Sequence, residues 1–210
     1  MVDLTRMVDH DIQQLQDRVA ELEETLRVQR REAQHQTRNM LAMVRSLVRR
    51  TGAEHGDCEH AFTLLEGRMA AFGRVQSNLQ RDHGTAVELG ALVGDEVLAS
   101  GARIDVLTIP EKQLWVRPRA AVLLVLVWHE LLAFTDLDHP VEVSWAEQDD
   151  GLVIRWTSAV VTAALRPEEV FLREILDRAL PYELSASATL VLDERIECVV
   201  TLPLNMLFKS

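Results

Sequence analysis

His35 lies in the stretch Gln34-His35-Gln36-Thr37-Arg38-Asn39, within a long amphipathic pattern but off its apolar stripe. An imidazole placed there gains nothing from packing, titrates near neutrality and can act as a nucleophile toward a partner's active site. Its plain alternative is an ordinary exposed histidine. The stripe runs Ile12, Leu15, Val19, Leu22, Leu26, Gln29, Ala33, Gln36, Met40, Met43 and Leu47, alternating the spacings of three and four that make a heptad seam. With Ile12, Val19, Leu26, Ala33, Met40 and Leu47 at position a, His35 falls at position c and faces solvent. Arg31, Arg38 and Arg45 share position f and line up beside it. Asn39 follows one turn beyond.

These residues need a helix to carry them and a second element to cover its seam. The first helix is expected from about Leu4 to Arg50, and Thr51-Gly52-Ala53-Glu54-His55-Gly56-Asp57 supplies the small and polar residues of a tight connection. In the next helix Phe62, Leu65, Met69, Phe72 and Leu79 recur at helical spacing through about Arg81. A hairpin of two helices cannot bury both faces, and the first seam outruns the second helix. A homodimer forming a four-helix bundle is the natural partner arrangement.

After residue 83 the pattern changes. A helix is expected at Ala86 to Ser100, a strand at Arg103 to Ile109 ended by Pro110, and a short strand at Gln113 to Val116. Arg119 to Phe134 reads as a buried helix. Val141 to Glu147 and Leu152 to Thr157 read as a hairpin turning at Asp149-Asp150-Gly151. Glu168 to Leu180 is a further helix, and Ala188 to Leu192 with Ile196 to Leu202 a last hairpin. The fold class is therefore α+β: a helical hairpin over residues 1–83, then an α/β two-layer sandwich over residues 84–210.

Composition narrows the function. The chain has 210 residues and a net charge of −11, and nearly all of the excess lies in residues 84–210, with 20 acids against 10 bases. That half is a poor surface for nucleic acid. The apolar run Ala120 to Ala133 is shorter than the about 20 residues of a membrane span, so no membrane insertion is expected. Met1-Val2-Asp3-Leu4 lacks the basic and apolar regions of a secretory signal, which leaves the cytoplasm as the default compartment. Cys58 and Cys198 stand far apart, and the seven histidines form no metal pair at a spacing of four.

His35 followed by Asn39, the hairpin segment Glu66-Gly67-Arg68-Met69-Ala70-Ala71-Phe72, and the helix ending Trp128-His129-Glu130-Leu131 resemble the HWE family of bacterial histidine kinases. The resemblance implies a dimerisation and histidine phosphotransfer hairpin followed by an ATP-binding domain of the GHKL type, with His35 as phosphoacceptor. The family pattern His-Arg-x-Lys-Asn appears as His35-Gln36-Thr37-Arg38-Asn39. In that setting Arg31, Arg38 and Arg45 are either a solvated face or a stripe that steadies a phosphoryl group and attracts an acidic receiver. Asn39 either orients a hydrolytic water or is incidental.

The nucleotide motifs depart from the family. Its His-Glu-Leu-x-Thr-Asn-Ala followed by Lys-Tyr-Gly reads here His129-Glu130-Leu131-Leu132-Ala133-Phe134-Thr135-Asp136-Leu137-Asp138-His139, so Phe134 replaces the metal-binding asparagine and Leu137 the lysine. Its Trp-x-Glu survives only as Trp156-Thr157-Ser158, and its Gly-Phe-Gly as Val170-Phe171-Leu172. From Ala102 to Ser210 there is one glycine, Gly151, and there are two lysines, Lys112 and Lys209. A lid that wraps phosphates with backbone amides needs more glycines than that. Glu130 is expected to cap or pair at a helix end, and Trp128, His129 and Trp156 to pack inside the sandwich. The expectation is a histidine phosphotransfer protein without ATP or any cofactor of its own, a response-regulator receiver supplying Mg2+. Two other readings remain: a scaffold that is never phosphorylated, and an active kinase with unorthodox nucleotide contacts. Residues 4–30 leave room for an upstream sensor kinase or partner coil.

Overall fold

The computed structural model describes residues 14, 18–19, 21–25, 27, 44, 48, 58–81, 85–148, 151–161 and 169–208. The chain divides into two compact units, Met1–Arg49 and Arg50–Ser210. In the first, the described residues are helical. Arg18 Nη1 donates to Glu21 Oε2 at 2.6 Å, Arg27 pairs with Glu24, and Thr25 Oγ1 donates to the Glu21 carbonyl at 2.8 Å. These exposed local pairs contribute only a few tenths of a kcal/mol each, about 0.2–0.5. The seam residues Val19 and Leu22 are 53% and 49% exposed.

The second unit opens with helix α1, Cys58–Arg81. Strand β1 (Val87–Glu88) leads into α2 (Leu89–Ala99), which starts later than its sequence pattern suggests because the Glu88 side chain caps it. The Glu88 carboxylate accepts from the Gly90 and Ala91 amides at 2.9 and 2.5 Å, satisfying two of the first-turn donors. The single strand expected at Arg103 to Ile109 is broken by a 3-10 turn at Ile104–Val106, leaving β2 as Leu107–Thr108. Strand β3 (Trp115–Val116) does not join the main sheet but pairs antiparallel with β1.

Helix α3, Pro118–Phe134, agrees closely with the sequence pattern. Proline at its start lacks an amide that the first turn cannot use, and its fixed φ suits the helix. Leu124, Val125, Leu126, Val127 and Trp128 are each at most 2% exposed, so apolar atoms cover α3 on all sides. Burying each aliphatic side chain of this kind stabilises by about 1.5–3 kcal/mol. α1 lies against α3 and α2.

Strands β4 (Val141–Gln148) and β5 (Gly151–Ala159) form the first expected hairpin, and β6 (Ser187–Leu192) and β7 (Arg195–Leu202) the second. The sheet order is β2-β4-β5-β7-β6, antiparallel except for the β2–β4 pair. Val141, Val143 and Trp145 on β4, Leu152, Ile154 and Trp156 on β5, and Ile196, Cys198, Val200 and Leu202 on β7 are buried, the period-two signature of a sheet with one covered face. Gly151 holds φ at +155°, and a Cβ there would stand 2.2 Å from the Leu202 carbonyl oxygen. Gly151→Ala is therefore expected to cost at least about 2 kcal/mol through strain and separation of β5 from β7, read as a lower denaturation midpoint with unchanged slope.

The helix expected at Glu168 to Leu180 begins at Val170 and continues further, as α4 (Val170–Glu174), a π turn (Ile175–Ala179) and α5 (Leu180–Leu184). Pro181 gives the reason: its ring has no amide and collides with the carbonyl four residues back, and widening the preceding turn relieves the collision. The Leu180 amide accordingly donates five residues back, to Ile175.

Candidate functional site

His35, Arg31, Arg38, Asn39 and Arg45 lie outside the described residues. The described part of the candidate site is the C-terminal half of α3 with α1, α2 and α4 around it. Glu130, 8% exposed, sits one turn before the end of α3. Arg68 of α1, 2% exposed, grips it with two hydrogen bonds: Nε donates to Oε1 at 2.8 Å and Nη2 to Oε2 at 3.2 Å. The other face of the guanidinium is covered by Phe171 of α4, with the guanidinium carbon 3.5 Å from the ring centroid. Fork-on-fork bonding and the aromatic face together offset the desolvation of both charges.

A second grip lies beside the first. Arg74 Nε and Nη2 donate to Glu96 Oε1 and Oε2 at 2.6 and 2.7 Å, and Glu96 is 1% exposed. His129 Nδ1 stands 3.6 Å from Glu96 Oε2, too far for a direct hydrogen bond but within reach of an ion pair. Asn78 Nδ2 donates to Asp95 Oδ2 at 2.8 Å and to the Arg74 carbonyl at 3.1 Å. Gly67 makes this approach possible: a Cβ on it would stand 2.9 Å from His129 Nε2.

Burial pushes the Glu96 carboxyl upward, but His129 and the Arg74 guanidinium outweigh it and hold the group below its ordinary value of 4.5. A carboxyl depressed on folding stabilises the protein fully above the unfolded pKa, and that contribution disappears as pH falls through the folded pKa. Urea midpoints measured downward from pH 7 are expected to fall more steeply below about pH 4.5 in the wild type than in Glu96→Gln.

Phe134 is 2% exposed and its carbonyl accepts from the Val161 amide at 2.9 Å, so the residue standing at the family's asparagine place is committed to the core. Trp156 Nε1 donates to Ser158 Oγ at 3.0 Å, Ser158 Oγ lies 3.1 Å from Thr135 Oγ1, and Thr135 Oγ1 donates to the Leu131 carbonyl at 2.9 Å. Trp128 and Trp156 are buried as expected, while the His129 side chain keeps 28% of its surface. Ten residues, 160–169, none of them glycine, link β5 to α4. Burial pushes the Cys198 thiol up to about 12, leaving it inert at neutral pH. No cluster of three or more potential metal ligands occurs among the described residues, and no described helix is long and apolar enough to cross a membrane.

Residues 32–107 match the family described as HWE histidine kinase. The matched segment is 76 of the 210 residues, a little over a third of the chain. The fold of the chain is similar to the histidine kinase domain of the blue-light activated histidine kinase of Erythrobacter litoralis EL346, at 16% identity and a TM-score of 0.51, covering 79% of this chain and 84% of that one. A weaker likeness links it to histidine kinase AdeS of Acinetobacter baumannii, at 10% identity and a TM-score of 0.44, covering 81% and 98%. Another weak one is to a structure titled a bacterial phosphotransferase, at 12% identity and a TM-score of 0.39, covering 76% and 88%. No curated protein matches the chain. The chain thus has a mixed α/β fold similar to that of the Erythrobacter histidine kinase domain, and its residues 32–107 resemble HWE histidine kinases.

Arg68 belongs to the family-matched segment, yet its part in the site escaped the sequence reading. A usable signal was present. Arg68 stands at helical spacing with Leu65, Phe72, Val75 and Leu79, on the face that α1 buries, and a guanidinium on an apolar face requires a buried acid opposite.

Proposed function

We propose that this chain is a homodimeric histidine phosphotransfer protein that relays phosphoryl groups between response-regulator receivers in the cytoplasm and binds no ATP itself. The observation that carries the reading is the state of Glu130: both its oxygens are engaged by the buried Arg68, and Phe134 one turn on has no side-chain oxygen. This donor set does not fit a magnesium-bound triphosphate, which needs several free oxygen ligands. A chain of kinase plan without that capacity keeps a use for His35 only if the phosphoryl group comes from elsewhere.

In the relay an imidazole nitrogen of His35 attacks the phosphorus of a receiver's aspartyl phosphate in line. The P–N bond forms as the P–O bond to the aspartate breaks, the carboxylate leaves with the electron pair, and the imidazole's other nitrogen releases its proton to water. A second receiver's aspartate reverses these steps. The receivers supply Mg2+ and lysine, and the basic stripe of Arg31, Arg38 and Arg45 faces their acidic pocket; Asn39 lies beside the transferred group. Residues 1–83 form the phosphotransfer hairpin and pair with a second copy as a four-helix bundle. The exposure of Val19 and Leu22 on the seam supports that pairing, since heptad side chains gain most when a partner covers them.

The test is label transfer. A receiver prephosphorylated with labelled phosphate is incubated with wild-type protein and with His35→Ala, and a parallel reaction contains labelled ATP alone. Label reaching only the wild type, from the receiver and not from ATP, is the expected result. Receiver binding without label from either donor gives the scaffold reading, and label from ATP gives an active kinase.

A further inference from the structure

Helix α1 is held to the rest of its unit by two Arg–carboxylate forks. Arg68 and Arg74 are six residues apart on α1; their acids come from two different helices, Glu130 on α3 and Glu96 on α2. Asn78, one turn beyond Arg74, adds its bond to Asp95 of α2. Beside the first fork, the missing side chain at Gly67 lets the His129 ring lie directly on the α1 backbone. Three anchoring residues along α1 thus face two helices, and the buried residues Ala71, Phe72, Val75 and Leu79 fill the space among them.

We infer that Glu130 and Glu96 serve as the anchors of a rigid latch, so that α1 is an integral layer of the sandwich unit and does not pivot on it. The geometry is stricter than apolar packing alone. Apolar faces slide past each other at small cost, whereas displacing α1 by one turn would leave two buried carboxylates without cations and two guanidiniums without acids. Two planar forks, on acids from different helices, also fix rotation as well as translation, which a single pair cannot do. Phe171 closes the outer face of Arg68, so release of the latch must also disturb α4. The latch governs the mechanics of α1 and stands apart from the relay: either can fail without the other.

The experiment is native-state hydrogen exchange on the full chain, followed by mass spectrometry, comparing amides of α1 (Cys58–Arg81) with those of β5 and β7. In the wild type, α1 amides are expected to exchange with the same protection as the central strands, as one cooperative unit. Arg68→Lys keeps the charge but loses the fork, and is expected to speed exchange in α1 by at least about tenfold, with β5 and β7 speeding up alongside it because the unit opens as a whole. A paired variant, Arg68→Met with Glu130→Met, removes both charges and is expected to fold and regain part of the lost stability, while α1 exchange stays above the wild-type level because the fork is gone. The latch is overturned if wild-type α1 exchanges far faster than the strands, or if Arg68→Lys leaves α1 exchange unaltered.

Discussion

Arg68→Met is expected to destabilise the protein by about 3–5 kcal/mol, a large fraction of the total stability of a typical domain. The reason is the acid left behind. Glu130 is 8% exposed and receives both of its charge-assisted bonds from the guanidinium. Methionine fills much of the volume but leaves a carboxylate buried without a cation, and it forfeits the stacking on Phe171. Chemical denaturation of the single variants and of the Arg68→Met, Glu130→Met pair forms a double-mutant cycle. Both single changes are expected to be costly and the pair much less so. Nearly additive costs would mean that the fork contributes little beyond the packing of its two stems.

His35→Ala is expected to abolish acceptance of phosphate from a receiver, since alanine has no nucleophilic atom and no water-mediated substitute forms an acid-labile adduct. The loss is expected to be complete within detection, while sedimentation shows the same association state as the wild type. At the solvent-facing position that the heptad pattern gives His35, alanine is expected to cost nothing in packing and to raise helix propensity slightly, so unfolding is not expected to account for the loss. Retention of the relay by His35→Ala would move the phosphoacceptor elsewhere and end the proposal.

Much of the second unit was legible because its elements are specified locally. The apolar run that becomes α3 is too continuous for an exposed helix, and Val141, Val143, Trp145 and Leu152, Ile154, Trp156 alternate as a half-buried hairpin must. Departures arose where a non-local or side-chain effect overrode the pattern. The Glu88 carboxylate delays α2, and the 3-10 turn around Asp105 divides what alternation reads as one strand. Pro181 looks like a terminator, yet a π turn carries the helix through it to Leu184. The departures of the nucleotide motifs were readable position by position, because Phe134 and Leu137 lack the required atoms whatever their surroundings. The occupant of Glu130 was not, because no local period connects Arg68 with a residue 62 positions away.

That separation also bears on the order in which the chain assembles. The β4–β5 and β6–β7 hairpins close loops of two and three residues, so they form with little entropic penalty, whereas joining Arg68 to Glu130 must wait until an intervening stretch that includes α2 and most of α3 is ordered. The fork is therefore expected to form late in folding, beyond the transition state. In a chevron experiment, Arg68 variants are expected to unfold faster while refolding at nearly the wild-type rate. The same buried pair that fixes α1 then governs how long the native protein lasts, and contributes little to how quickly it is reached.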